Sequence, residues 1–311
     1  MFALRGIAVS LTFFVLLYCL LSALVAVSWR WLRVLRAAEK SVADLLFLLR
    51  ILPLVLSIIV TAAFVIPSFQ ILEPHAVDEG MGKYTFVFGI AALLLIVYGS
   101  YRVVAAQVHT SRIVARWLDG ASPLETGEHA ATLRARNQTP PLTLIGMTEP
   151  RVLVSDAAVQ ILADEELRVA LRHELAHIRS WDNLKKLIFR FAPFPGLAKL
   201  EAAWSQAAEL AADDAAVSDV NDALDLAAAL VKLSRLVPVE AAPACTVGFV
   251  TGSIRARIAR LLAWEEGSQE RRRLIPRWLA IPPVLVAILC AFVAYTPVLA
   301  FTHELTEWLV R

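Results

Sequence analysis

The 311-residue sequence is 58% apolar with a mean hydropathy of +0.63, more than one water-exposed domain of that length uses. A net charge of only +2 excludes a predominantly basic nucleic-acid binder and a charge-rich disordered chain. Of three cysteines, Cys19 and Cys290 lie in long apolar runs and Cys245 stands alone in a polar stretch, so neither a disulfide framework nor a cysteine zinc site is indicated.

Ile7 to Ser28 is 22 residues without a charge, enough at about 1.5 Å per residue to cross roughly 30 Å of hydrocarbon. It is too long for the apolar part of a signal peptide, and a basic cluster follows it. Ile51 to Leu72, Tyr84 to Tyr101 and Trp278 to Phe301 pass the same test, so four transmembrane helices are expected. Pro53, Pro67, Pro282, Pro283 and Pro297 do not veto them, because neighbouring helices or waters satisfy the freed carbonyls. Arg30, Arg33, Arg36 and Lys40 follow the first span, whereas Glu73, Asp78 and Glu79 face only Lys83 after the second. The positive-inside rule then sets the N-terminus outside and the first loop in the cytoplasm. Arg102, Arg112 and Arg116 before the polar region, and Arg271, Arg272, Arg273 and Arg277 after it, place that region on the same side. The expected protein is a multi-pass chain of the inner (plasma) membrane, embedded in the lipid bilayer. Residues 1–106 form a three-helix region, 107–275 a cytoplasmic domain, 276–301 a fourth span and 302–311 a short outer tail.

Within the polar region, 119–141 is rich in Gly, Pro, Thr and charge without a sustained period, and reads as a connector. Leu142–Ile145 and Arg151–Ser155 read as a β-hairpin around a turn of about five residues, a candidate edge strand. Next comes a helix with Asp164 as its cap, Glu165 and Glu166 in the first turn, and an apolar stripe of Leu167, Ala170, Leu171, Leu175 and Ile178. Residues 184–200, interrupted by Lys185, Lys186 and Arg190 and closed by Pro193 and Pro195, read as a segment lying on the membrane surface. Helices over 199–218 and 221–236 follow, the second with Leu224, Ala227, Ala228, Val231 and Leu233 as expected core. The fold class is mainly α, with a small β-hairpin or sheet. No phosphate loop or aromatic-basic platform is present, so direct nucleic-acid binding is not expected.

Residues 173–177 read His-Glu-Leu-Ala-His. On a helix, i and i+4 share a face about 6 Å apart, so both imidazoles reach one Zn2+. Glu174 then stands beside the coordination position left for water and is placed to take its proton. A third ligand is supplied by Glu209, on the next strong helix, and Asp213 one turn further is placed to accept the free N–H of a ligating histidine. Asp182 is a second candidate for such an orienting contact, and Arg257 is a candidate donor to the oxyanion. The chemistry expected is metal-assisted peptide hydrolysis with no covalent intermediate. A non-catalytic scaffold with a structural metal is the alternative, which an intact Glu174 argues against.

Gly146 to Pro150, Val152-Leu153-Val154-Ser155, Glu165-Glu166-Leu167, His173 to His177, Asp182-Asn183, Glu209-Leu210-Ala211-Ala212-Asp213 and Arg257-Ile258 with Leu261 together resemble the BlaR/MecR-type membrane metallopeptidases. They resemble more distantly the membrane CAAX-processing and heat-shock zinc proteases. The resemblance implies a gluzincin-like helical domain with a small sheet, a cytoplasmic active site and a protein substrate. In the antibiotic-sensing branch that substrate is a cytoplasmic transcriptional repressor. About ten residues follow the expected fourth span, so no penicillin-binding sensor domain is expected. Any trigger would then come through the spans, the short outer loop or a partner.

Overall fold

A computed structural model describes residues 2–29, 38–73, 82–124, 132–136, 139–146, 150–236, 247–248, 254–265 and 295–310. Three long apolar helical segments stand at its start: α1, Phe2–Ser28; α2, Glu39–Val60, continuing into α3, Ile66–Leu72; and α4, Lys83–Leu118. Each is long and apolar enough to cross a membrane. Pro67 at the start of α3 has no N–H to donate, and the chain widens into a π-turn over Thr61–Val65 just before it, where the ladder is interrupted. Leu20, Leu24, Ile58, Leu94 and Val97 point outward and are exposed, as lipid-facing positions are. Between the helices, small residues allow close approach: a Cβ on Gly89 would meet the Ala8 carbonyl at 3.5 Å, and Thr12 Oγ1 donates to Thr85 O at 3.0 Å.

All three segments outrun the spans read from hydropathy. α4 has 36 residues, about 54 Å at the helical rise and so longer than a bilayer core of roughly 30 Å, and at Gly99 it packs against Phe191 of the polar domain. Most of the expected fourth span lies outside the described residues. Those from Tyr295 onward open a helix, Tyr295–Val310, which carries the expected tail.

The polar domain is mainly helical with a small mixed sheet. Its strands, β1 (Ser122–Pro123), β2 (Thr132–Ala135), β3 (Leu142–Ile145), β4 (Arg151–Ser155) and β5 (Val247–Gly248), are ordered β1-β2-β4-β3-β5. The hairpin is present, with Leu142 opposite Val154 and Ile145 opposite Arg151. Two expectations are corrected. The stretch 119–141 is not a plain connector, because β2 runs parallel to β4 and takes up its outer side. The hairpin has no free edge among the described residues, since β5 pairs with β3.

Helices α5 (Asp156–Ile161), α6 (Asp164–Ser180), α7 (Asp182–Phe191), α8 (Ala198–Ala216), α9 (Val220–Ser234) and α10 (Ile254–Leu262) complete the domain. The cap of α6 is Ala163, not Asp164. Glu166 reaches back to accept from the Ala163 N–H at 2.8 Å, satisfying one orphan donor without a capping side chain. Lys232 of α9 donates to both oxygens of Glu166 at 2.7 Å, locking α6 to α9. In α9 the buried face carries Leu226, Ala227, Leu230 and Leu233, whereas Leu224 and Val231 are exposed, so two expected core positions are corrected. The buried face packs with Leu142, Leu144, Val152 and Val154 of the sheet, Leu171 of α6 and Leu261 of α10.

Within residues 184–200, α7 and the turn after it pack against α1, α2 and α4, with Phe189 and Leu197 buried beside Trp29, Leu46 and Trp204.

Candidate metal centre

Helix α6 buries one face from Val169 to His177 and ends at Trp181, whose φ of 57° is left-handed. A bulky residue there costs roughly 1–2 kcal/mol, and such departures gather at functional sites. The turn lets α7 start at once in a new direction, with Asp182 set beside the helix it has just left. Asp182 Oδ2 accepts from His177 Nδ1 at 2.7 Å. On the far side, His173 Nδ1 stands 3.0 Å from Asp213 Oδ1. A proton held on each Nδ1 leaves both Nε2 lone pairs facing inward.

There they converge. The two Nε2 atoms are 3.2 Å apart, and Glu209 brings Oε2 to 3.6 Å from His173 Nε2 and Oε1 to 3.8 Å from His177 Nε2. One ligand atom from each of the three residues lies within 4.8 Å of the others. Donors about 2.0–2.1 Å from one tetrahedral ion are themselves about 3.3 Å apart, so the spacing fits a shared cation. His173 and Glu174 are fully buried and His177 and Glu209 nearly so. Neither oxygen of Glu174 hydrogen-bonds to the described residues, an uncommon condition for a buried carboxylate.

Arg257 of α10 is buried too, which sequence alone did not indicate. Its Nε and Nη2 donate to Asp213 at 2.8 and 2.6 Å, and its Nη1 donates to Glu209 at 2.9 Å. The sequence-based expectation of a donor facing substrate meets a guanidinium that faces Glu209 and Asp213 of α8. Lys186 was overlooked. It lies one turn beyond Asp182 on the buried side of α7, within electrostatic reach of Glu209, Asp182 and Glu174, and burial pushes its ammonium below the usual lysine range. Its i+4 spacing from Asp182 was the available signal.

Burial opposes the charged form of His173, but the carboxylates of Asp213 and Glu209 outweigh it and lift the imidazole to about 9. Burial likewise opposes the ionised form of Asp213, yet His173 and Arg257 hold it down at about 2. Burial pushes the Glu174 carboxyl up, against the pull of His177 and His173. A folded-state value above the unfolded one stabilises below the unfolded value, and a depressed one above it. With metal stripped by a chelator, the His173 contribution should be complete below 6.5 and disappear as pH rises through about 9. That of Asp213 should be complete above 3.8 and disappear as pH falls through about 2. Thermal melts of chelator-treated protein should therefore give their highest Tm between about pH 4 and 6.5; a Tm that does not fall from pH 6.5 to 9.5 would contradict the His173 assignment.

The family model of the BlaR1 peptidase M56 matches residues 76–261, more than half of the chain. The chain belongs to the BlaR1 peptidase M56 family. The match begins just before α4 and ends in α10, so it takes in one candidate span and every member of the cluster from His173 to Arg257. Membership makes the chain a protease of a membrane-associated metallopeptidase family, and the buried His173, His177 and Glu209 are a group able to hold the metal. No curated protein matches the chain.

Proposed function

We propose that this member of the M56 family is a zinc-dependent endopeptidase embedded in the inner (plasma) membrane, hydrolysing peptide bonds of a cytoplasmic or membrane-proximal protein. The observation that carries the proposal is the convergence of His173 Nε2, His177 Nε2 and the Glu209 carboxylate within 4.8 Å, beside a fully buried Glu174 with no hydrogen-bond partner among the described residues. Two imidazoles and one carboxylate are a zinc donor set that keeps a position open for catalysis.

His173, His177 and Glu209 would hold the ion, which when bound supplies a Lewis acid for the scissile carbonyl and acidifies a water. The chain's own residues do the rest. Glu174 takes the proton of the attacking water and returns it to the leaving amine. Asp182 and Asp213 fix the tautomers and ring orientations of His177 and His173. Arg257 holds Asp213 and Glu209 in place, a supporting role that its hydrogen bonds favour over donation to an oxyanion. A structural metal site would have no use for Glu174, which weighs against the scaffold alternative.

The distribution of lysine and arginine supports an outside N-terminus and a cytoplasmic catalytic domain over about 107–275, bounded by a three-span region and a fourth span. On this reading the substrate is a protein presented from the cytoplasm, and a transcriptional repressor cut in response to a signal is the candidate the family suggests. The test is to purify the full chain in detergent, measure zinc per chain and follow cleavage of casein. About one zinc per chain is expected in the wild type, and both zinc and cleavage should be lost in His177→Ala. A wild type without zinc, or a His177→Ala variant that cleaves as fast as wild type, would remove the proposal.

A further inference from the structure

The last carbonyls of a helix have no partner within it, and at membrane depth irregular backbone survives only where protein satisfies it. The end of α7 meets this problem among the spans, where two of them supply donors and a third packs closely against it. Arg50 of α2, 1% exposed, donates from Nη2 to Phe189 O at 3.2 Å and to Ala192 O at 2.7 Å. Tyr18 of α1 donates to Ala192 O at 2.9 Å and Pro193 O at 3.3 Å. Gly99 of α4 lies so close that a Cβ would sit 2.0 Å from Phe191 O. Arg50 also donates from Nε to Glu201 Oε1 of α8 at 2.7 Å, and its guanidinium stands 5.3 Å from the centre of the Phe189 ring. Sequence reading set the second span to begin at Ile51, one residue beyond this arginine, and so treated its interior as uncharged.

Two rigid arms leave this corner and both end at the metal cluster. Back along α7 lies Asp182, which holds His177. Forward along α8, eight residues or about 12 Å beyond Glu201, lies Glu209, with Asp213 a turn further. The single side chain of Arg50 binds the base of both arms to the spans.

We propose that Arg50 is a positioning residue of the metal centre: by joining the end of α7 and the start of α8 to α2, beside the contacts that Tyr18 and Gly99 make from α1 and α4, it sets how far His177 and Asp182 stand from Glu209. Movement of the spans then changes metal affinity. The inference rests on the zinc reading above, and its test separates the two.

Zinc affinity of the full chain in detergent is measured by competition with a chromogenic chelator, alongside Tm and near-UV circular dichroism, for wild type, Arg50→Gln, Arg50→Lys and Gly99→Ala. Arg50→Gln and Gly99→Ala should each weaken zinc binding roughly 10–100-fold, the range for residues that orient metal ligands, with native near-UV signal retained. Arg50→Lys, which keeps the charge but not the fork that serves Glu201 and the carbonyls together, should fall between. A merely structural corner would lower Tm and leave zinc affinity untouched, and that result overturns the proposal. Where Arg50→Gln fails to fold, Gly99→Ala, which removes no polar group, decides by the same readouts. A wild type that binds no zinc would instead remove the reading beneath it.

Discussion

Glu174→Gln should lose proteolysis by roughly 10²–10⁴-fold, the usual contribution of a positioned general base, while zinc per chain stays at the wild-type level. The residue is fully buried, and its two oxygens have no hydrogen-bond partner among the described residues. Burial, joined by the nearby Glu209 carboxylate, drives its carboxyl up, and the pull of His177, His173 and Arg257 acts the other way. A carboxyl raised above the ordinary carboxylate range is better suited to take a proton and give it back. Glutamine preserves the shape but accepts no proton, and it removes a charge whose burial is unfavourable. Its Tm should therefore equal or exceed that of the wild type. Casein cleavage and atomic absorption on the same preparations settle the matter: cleavage at the wild-type rate with full zinc would take Glu174 out of the mechanism.

Much of the centre was legible because its chemistry is local. His173, Glu174 and His177 sit on one helical turn, and any helix through them gives the same juxtaposition. Glu209 and Asp213 were readable for the same reason, as a second i, i+4 pair. Arg257 was noted in sequence, but its partners lie on α8, 44 and 48 residues away, and no periodicity reports so distant a pairing. The short strand β2 was missed because Thr132-Leu133-Arg134-Ala135 alternates too briefly to stand out, and only its pairing with β4 makes it a strand. In α9, Leu224 and Val231 were favoured by hydrophobicity. The face that turns inward is set instead by the Lys232–Glu166 and Arg172–Asp222 pairs with α6, which bring Leu226 and Leu230 against the sheet. Hydropathy located the spans but not the wedge of α7 among them. Its lysines and the prolines after it read as a membrane-surface segment, and the hydrogen bonds of Arg50 and Tyr18 to its end are too far apart in sequence to be read.

Arg257→Ala should destabilise the chelator-treated protein by about 3–5 kcal/mol, the cost of leaving buried charges unpaired. Its guanidinium grips Asp213 with two nitrogens and Glu209 with a third, and Asp213 stays ionised at about 2 partly because of it. Without that cation the carboxylates of Glu209 and Asp213 repel each other in a site with little solvent, and Glu209 should lose its place as a ligand. Zinc affinity should fall along with Tm. Asp213→Asn in the same chain removes one of the stranded charges, so the double variant should be less destabilised than the sum of the two single ones. Arg257→Lys keeps a charge but not the planar fork, and should sit between wild type and alanine in Tm and zinc affinity together. An arginine that instead served the oxyanion would leave both at wild-type values in Arg257→Lys and lower kcat alone. Loss of kcat with Tm and zinc unmoved would therefore return Arg257 to the substrate side of the centre.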